Sequence, residues 1–238
     1  MKKICLIVAI GVLSATMSYA SEYEAFTRDL VKPYSFYKKS LSLTSKKEDA
    51  DKAKAALASF AESWGKFAAI YANDPPKKLA GVKDFAAKIK RPVEVAKQSA
   101  DYLSAGNIGR AHTVLEEVRY LMWDMRVRSG IVSLADKAND FHEVMEVVFN
   151  QAALAQEPED MQRVSERYAP WFLLKWDEQA LASDIPSVQK EFNPAFVEGR
   201  KAIVDYLEAL KQGNPIEAKK RSGAVKNAYK TIWMLDTL

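Results

Sequence analysis

Apolar residues recur along almost the whole chain at intervals of three and four, the spacing that places them on one face of a helix. Alternation with period two, the mark of a half-buried strand, is almost absent. The stripes divide into eight helices. The first is expected over residues 22–42, with Pro33 as a kink. The second opens near Ser45, three residues before Glu48 in a capping-box arrangement, and ends at Asn73-Asp74-Pro75-Pro76. The third carries Val82, Phe85, Ile89, Val93, Ala96 and Leu103, interrupted by Pro92. Gly106-Asn107 closes it, and a fourth follows with Ile108, Ala111, Leu115, Val118, Met122 and Met125, stopped by Gly130.

The pattern then starts again. Ser133 precedes Asp136 by three and opens a helix with Leu134, Phe141, Met145 and Val148 facing inward. Glu157-Pro158 leads into a sixth helix reaching to about Ala182, and Ile185-Pro186 marks the next break. Phe192, Phe196, Ile203, Leu207 and Leu210 form the seventh stripe, and Gly213-Asn214-Pro215 opens the last helix. Landmarks repeat in order. Asp101-Tyr102-Leu103 before Gly106-Asn107 returns as Asp205-Tyr206-Leu207 before Gly213-Asn214. Phe60 with Trp64 returns as Phe172 with Trp176, and Trp123 as Trp233. Three extra residues separate the two landmarks in the second copy, about one helical turn, so the inward face is kept. The expected architecture is all-α: two tandem up-down-up-down four-helix bundles over residues 21–130 and 131–238.

Residues 1–20 read as a secretory signal peptide. Lys2 and Lys3 supply the charged start, residues 4–13 the apolar stretch, and Ser18-Tyr19-Ala20 the small-x-small cleavage site. The apolar run is too short to span a bilayer, and no transmembrane segment is expected. Cys5 is the only cysteine and leaves with that leader, so the mature chain has no disulfide, thiolate site or cysteine nucleophile. An exported protein, periplasmic or secreted, follows. Its balance of 33 basic and 31 acidic residues once Lys2 and Lys3 are gone gives no case for nucleic acid.

Four helices, a proline-marked second connection and a short glycine turn before the last helix resemble cytochrome b562, a periplasmic four-helix bundle. Pro75-Pro76-Lys77-Lys78-Leu79 is similar to that family's second turn. Val225-Lys226-Asn227-Ala228-Tyr229-Lys230 and residues 115–123 are similar to its last helix. The resemblance implies a bundle fold in each copy. It also implies a haem held by a methionine early in the first helix and a histidine late in the last. Trp123 and Lys230 stand at the histidine position, and residues 22–42 contain no methionine. The haem ligands of a b-type electron-transfer protein are therefore missing.

Only two histidines occur, and each has a glutamate four residues on, so that both side chains leave the same helix face: His112 with Glu116, and His142 with Glu146. His142, Glu143, Met145 and Glu146 form the densest set of ligand types, a candidate site for copper or another divalent metal. His112 and Glu116, with Arg119 and Trp123, form a second polar stripe. A fold-back at Gly130 would bring Glu116, Glu117 and Arg119 towards His142 and Glu143. The competing expectation for both pairs is an ordinary solvated or structural ion pair. Glu146 stands where a zinc-protease motif would need its second histidine, and no phosphate loop or nucleophile elbow occurs, so no enzyme is expected. The tryptophans late in the second and fourth helices are expected to close the cores; the competing reading is an aromatic ligand cavity, for which Tyr168, Trp171 and Phe172 are the candidate lining. The expected function is non-catalytic: a binding protein for a small ligand, a metal ion or a periplasmic protein, in a metal-related or stress-related accessory role. A chaperone-like or structural module is the alternative from another class.

Overall fold

The computed structural model describes residues 2–46, 50–182 and 184–235, with side chains from residue 22 onward in the first stretch and to residue 45 within it. Among the described residues the chain is helical without strands: α1 (Lys2–Lys46), α2 (Ala50–Tyr71), α3 (Phe85–Ser104), α4 (Ile108–Leu115), α5 (Glu117–Arg128), α6 (Leu134–Leu154), α7 (Pro158–Asp177), α8 (Ile185–Lys211) and α9 (Pro215–Leu235). Counting α4 and α5 as one helix interrupted at Glu116 gives the eight expected. The chain divides into two compact units, residues 1–131 and 132–238. In the first, α1 packs on α2, α2 on α3, α3 on α4 and α5, and α4 back on α1. In the second, α6, α7, α8 and α9 close the same ring. The protein is all-α, built of two four-helix bundles.

Several boundaries differ from the sequence expectation, each for a local reason. α1 begins at Lys2 rather than near residue 22, and no proline or glycine stands between residue 13 and Glu22 to stop it. Ser45 lies inside α1, Glu48 falls outside the described residues, and α2 opens at Ala50, so the capping box expected there is not seen. Val82 is buried but precedes α3, in a turn that passes through Asp84 at φ 59°. The sixth helix ends at Asp177, and a short 3-10 turn, Glu178–Leu181, continues it.

The expected turn chemistry is otherwise present. Gly106 and Gly213 take positive φ (74° and 61°), which favours glycine. Immediately after each, an asparagine caps the next helix. Asn107 Oδ1 accepts from Arg110 N at 3.0 Å, and Asn214 Oδ1 from Glu217 N at 3.0 Å. Ser133 caps α6 by accepting from Asp136 N at 3.2 Å, while its hydroxyl donates to Asp136 Oδ2 at 2.8 Å.

Each core is organised round a tryptophan. Trp64 is fully buried, edge-on to Phe60, and donates Nε1–H to Ile89 O at 2.7 Å. Trp176 is fully buried, edge-on to Phe141, and donates to Phe196 O at 3.0 Å. A serine hydroxyl adds a second cross-helix tie in each unit: Ser99 Oγ to Ala111 O and Ser165 Oγ to Leu207 O, both at 3.0 Å. Trp233 is buried as well. Trp123, expected to close the first core, is 37% exposed, because Met122 and Met125 fill the inward positions of α5. The aromatic trio of α7 also divides: Phe172 enters the core, Tyr168 is half-buried and Trp171 is exposed, so the three do not line one cavity.

Gly199 on α8 lies beneath the Trp176 ring. A Cβ there would come within 2.1 Å of Trp176 Cζ2. At an unobstructed helix position, Gly→Ala gains about 1 kcal/mol. Here overpacking costs about 1–3 kcal/mol or more and reverses the sign. Gly199→Ala is expected to lower the urea midpoint of the protein, whereas Gly109→Ala, with nothing within 4 Å of the new methyl, leaves it unchanged or raises it.

Candidate functional site

The two histidines lie in different units and have different surroundings. His112 leaves α4 towards the end of α1, where the buried Thr44 hydroxyl lies 3.0 Å from Nδ1. Its Nε2 is 3.1 Å from Glu116 Oε1, and the other Glu116 oxygen pairs with the guanidinium of the buried Arg119. With Nε2–H donating to Glu116 and Nδ1 accepting from the Thr44 hydroxyl, the ring spends both nitrogens on protein partners. Glu116 is also where α4 gives way to α5, so the chain Thr44–His112–Glu116–Arg119 fastens α1 to the interruption in the last helix. Further along, Arg91 grips Glu117 with two bonds, 2.7 and 3.0 Å, joining α3 to α5. Lys88 and Arg128 hold the Asp124 carboxyl below the usual carboxylate range, mainly through the Lys88 hydrogen bond.

On α6, His142 packs its ring against Tyr229 at 4.8 Å, and its Nε2 is 3.8 Å from Glu146 Oε1. The same oxygen lies 3.8 Å from Lys226 Nζ. Glu143 is exposed. Met145 is 1% exposed and belongs to the core, four residues after Phe141 on the inward stripe. This corrects the sequence reading of Met145 as a ligand beside Glu143, since two positions apart on a helix face nearly opposite ways. Among the described residues, no three His, Cys, Asp or Glu side chains converge as they would round a metal ion. The six candidate ligands thus form two separate two-residue pairs, with Glu143 in solvent and Met145 in the core.

Sequence reasoning missed the cavities of the second unit. One groove of about 570 Å³ runs between α8 and α9, lined by Glu198, Lys201, Asp205, Glu217 and Arg221 among others. Both of its cations are paired, Lys201 with Asp205 at 3.0 Å and Arg221 with Glu217 at 2.7 Å, and Glu198 adds a further negative charge. The second cavity, about 420 Å³, is of another kind. Phe149, Ala152, Met161 and Tyr206 line it together with Lys219, Ser222 and Lys226 of α9. Tyr206 is 2% exposed and edge-on to Phe149. Among the described residues no protein group hydrogen-bonds to its hydroxyl, and burial pushes the phenol well above its ordinary pKa. A donor without a protein acceptor, at the wall of a space of ligand size, is a group that a bound molecule can engage.

The sequence carries only a faint trace of this site. Lys219, Ser222 and Lys226 fall at i, i+3 and i+7 on one face of α9, facing the alanines that end α6. The chain matches no protein-family model, and neither a curated protein nor a solved structure shows significant similarity to it.

His112→Ala is expected to cost about 1 kcal/mol, the worth of a net hydrogen bond, measured by urea unfolding. Protein refolded with copper, zinc or iron is expected to hold the same metal content, by elemental mass spectrometry, in the parent and in His142→Ala. A stoichiometric loss of metal in that variant would restore the α6 cluster as a site.

Proposed function

We propose that this chain is an exported, non-catalytic binding protein whose second bundle holds a small ligand in the cavity between α6 and α9. The observation that carries the reading is a space of about 420 Å³ lined by Phe149, Ala152 and Met161 and by Tyr206, a 2% exposed residue whose hydroxyl has no protein partner among the described residues. A ligand that accepts from this hydroxyl gains a hydrogen bond worth about 1 kcal/mol net while burying its own apolar body. The non-catalytic part rests on the histidines: His112 has both nitrogens engaged, and His142 lies against Tyr229 and beside Glu146. Export, and with it a periplasmic or secreted destination, rests on the leader pattern of Lys2, Lys3, residues 4–13 and Ser18-Tyr19-Ala20. No helix among the described residues is long and apolar enough to cross a membrane.

Two measurements test this. The purified chain is expected to enhance the fluorescence of N-phenyl-1-naphthylamine, a neutral apolar probe. Ala152→Phe, which fills the cavity, is expected to weaken probe binding about tenfold with helicity unchanged by circular dichroism. Equal binding by parent and variant would remove the cavity from consideration. Protein recovered from the periplasmic fraction or the medium is expected to begin at Ser21 by N-terminal sequencing, and an uncleaved cytoplasmic product would end the export reading.

A further inference from the structure

The cavity is not merely apolar, because its polar lining has one sign. Lys219 and Lys226 both reach it, and no aspartate or glutamate is among its lining residues. Among the described residues, Lys219 has no carboxylate within ion-pair distance. Lys226 is half-spent: its ammonium lies 5.3 Å from the centre of the Phe149 ring and 3.8 Å from Glu146. Together they leave about one uncompensated positive charge at the mouth. Pro215 and Ala218 also line the space, which places it against the first turn of α9, where the helix dipole favours a negative charge. The Tyr206 and Ser222 hydroxyls complete the polar side, and the rings of Phe149 and Tyr206 with Met161 the apolar side.

From this arrangement we infer that the ligand is an apolar molecule with a single carboxylate, its head held by Lys219, Lys226 and the Tyr206 hydroxyl and its body on Phe149 and Met161. This rests on the cavity reading above and narrows it to a class. A carboxylate is an acceptor only, which is the complement of a phenol that has kept its proton and of two ammonium groups. A phosphate dianion would bring twice the negative charge that the site can balance. A cation would meet Lys219 and Lys226 with nothing to offset them. The neighbouring groove between α8 and α9 offers an anion no comparable case, since its Lys201 and Arg221 are already paired with Asp205 and Glu217 and Glu198 adds a negative charge.

Isothermal titration of the full mature chain with three probes of equal tail length, octanoate, octan-1-ol and octylammonium, tests the inference. Octanoate is expected to bind about tenfold more tightly than octan-1-ol, to weaken as salt is raised, and to bind more tightly than octylammonium. The double variant Lys219→Gln, Lys226→Gln is expected to bring octanoate down to the affinity of octan-1-ol and to leave octan-1-ol unchanged. Both lysines are exposed, so the double variant keeps its core. Tyr206→Phe, which removes a hydroxyl without a protein partner, is expected to fold as the parent does and to bind octanoate several-fold more weakly. If octanoate and octan-1-ol bind equally, or the double variant binds octanoate as the parent does, the carboxylate assignment is overturned while the cavity reading survives. If none of the three probes binds the parent chain, the cavity reading falls and the carboxylate with it.

Discussion

Everything else in each bundle is arranged round one hydrogen bond, from the indole N–H of a buried tryptophan to a main-chain carbonyl of the next helix. Trp64 donates to Ile89 O and Trp176 to Phe196 O, and both rings are wholly removed from solvent. A buried tryptophan contributes a large apolar area, and its truncation typically costs about 3–5 kcal/mol. That gain depends on the N–H finding an acceptor, because an orphaned donor would return about 1–3 kcal/mol of it. The carbonyl therefore fixes how far α2 slides along α3, and α7 along α8. The surrounding rings take their places accordingly. Phe60 and Phe67 stand edge-on to Trp64, and Phe141 stands edge-on to Trp176 while Phe196 stacks on it.

The two bundles use the same devices without being copies in detail. The glycine turns before the last helices have the same backbone sign, and the asparagines after them make caps of equal length. The second turn is more constrained than the first. A Cβ at Gly213 would lie 2.5 Å from Pro158, while one at Gly106 would meet nothing within 4 Å. α8 runs longer than α3, in keeping with the additional turn between Asp205-Tyr206-Leu207 and Gly213-Asn214. Where the first unit has the engaged Thr44–His112–Glu116–Arg119 chain, the second has a cavity with an unspent lysine and an unspent phenol. The division of labour between a bundle with tied polar groups and a bundle with groups to spare is the basis of the functional proposal.

The helical architecture was legible because its signals are local. Three-and-four spacing marked the inward residues of α6 correctly, and Ser133, Asn107, Asn214 and the glycines marked its turns. Boundaries without such punctuation were not legible: nothing in residues 13–25 says that a helix already running will continue, and α1 therefore begins earlier than the cap-seeking reading placed it. The set His142, Glu143, Met145 and Glu146 is divided by direction round the helix. Residues adjacent in sequence were grouped by chemical type, but Met145 shares the stripe of Phe141 and leaves Glu143 on the opposite side. Trp123 illustrates the same limit, since its repeat partner Trp233 is buried and only the packing of Met122 and Met125 decides that Trp123 is not. The cavity escaped because its lining comes from four helices, and what singles it out, a hydroxyl with no neighbour, is a property of space rather than of order along the chain.

Gly199 and Trp176 have a consequence for how this chain can diverge. Since the indole occupies the place of a side chain at position 199, neither residue is free to drift alone. A methyl group becomes acceptable on α8 only in a lineage that has already traded the large ring for a smaller one, and that trade forfeits the bond to Phe196 O. The pair is an epistatic lock: accepted changes at the two positions should be found together, in one order, or not at all.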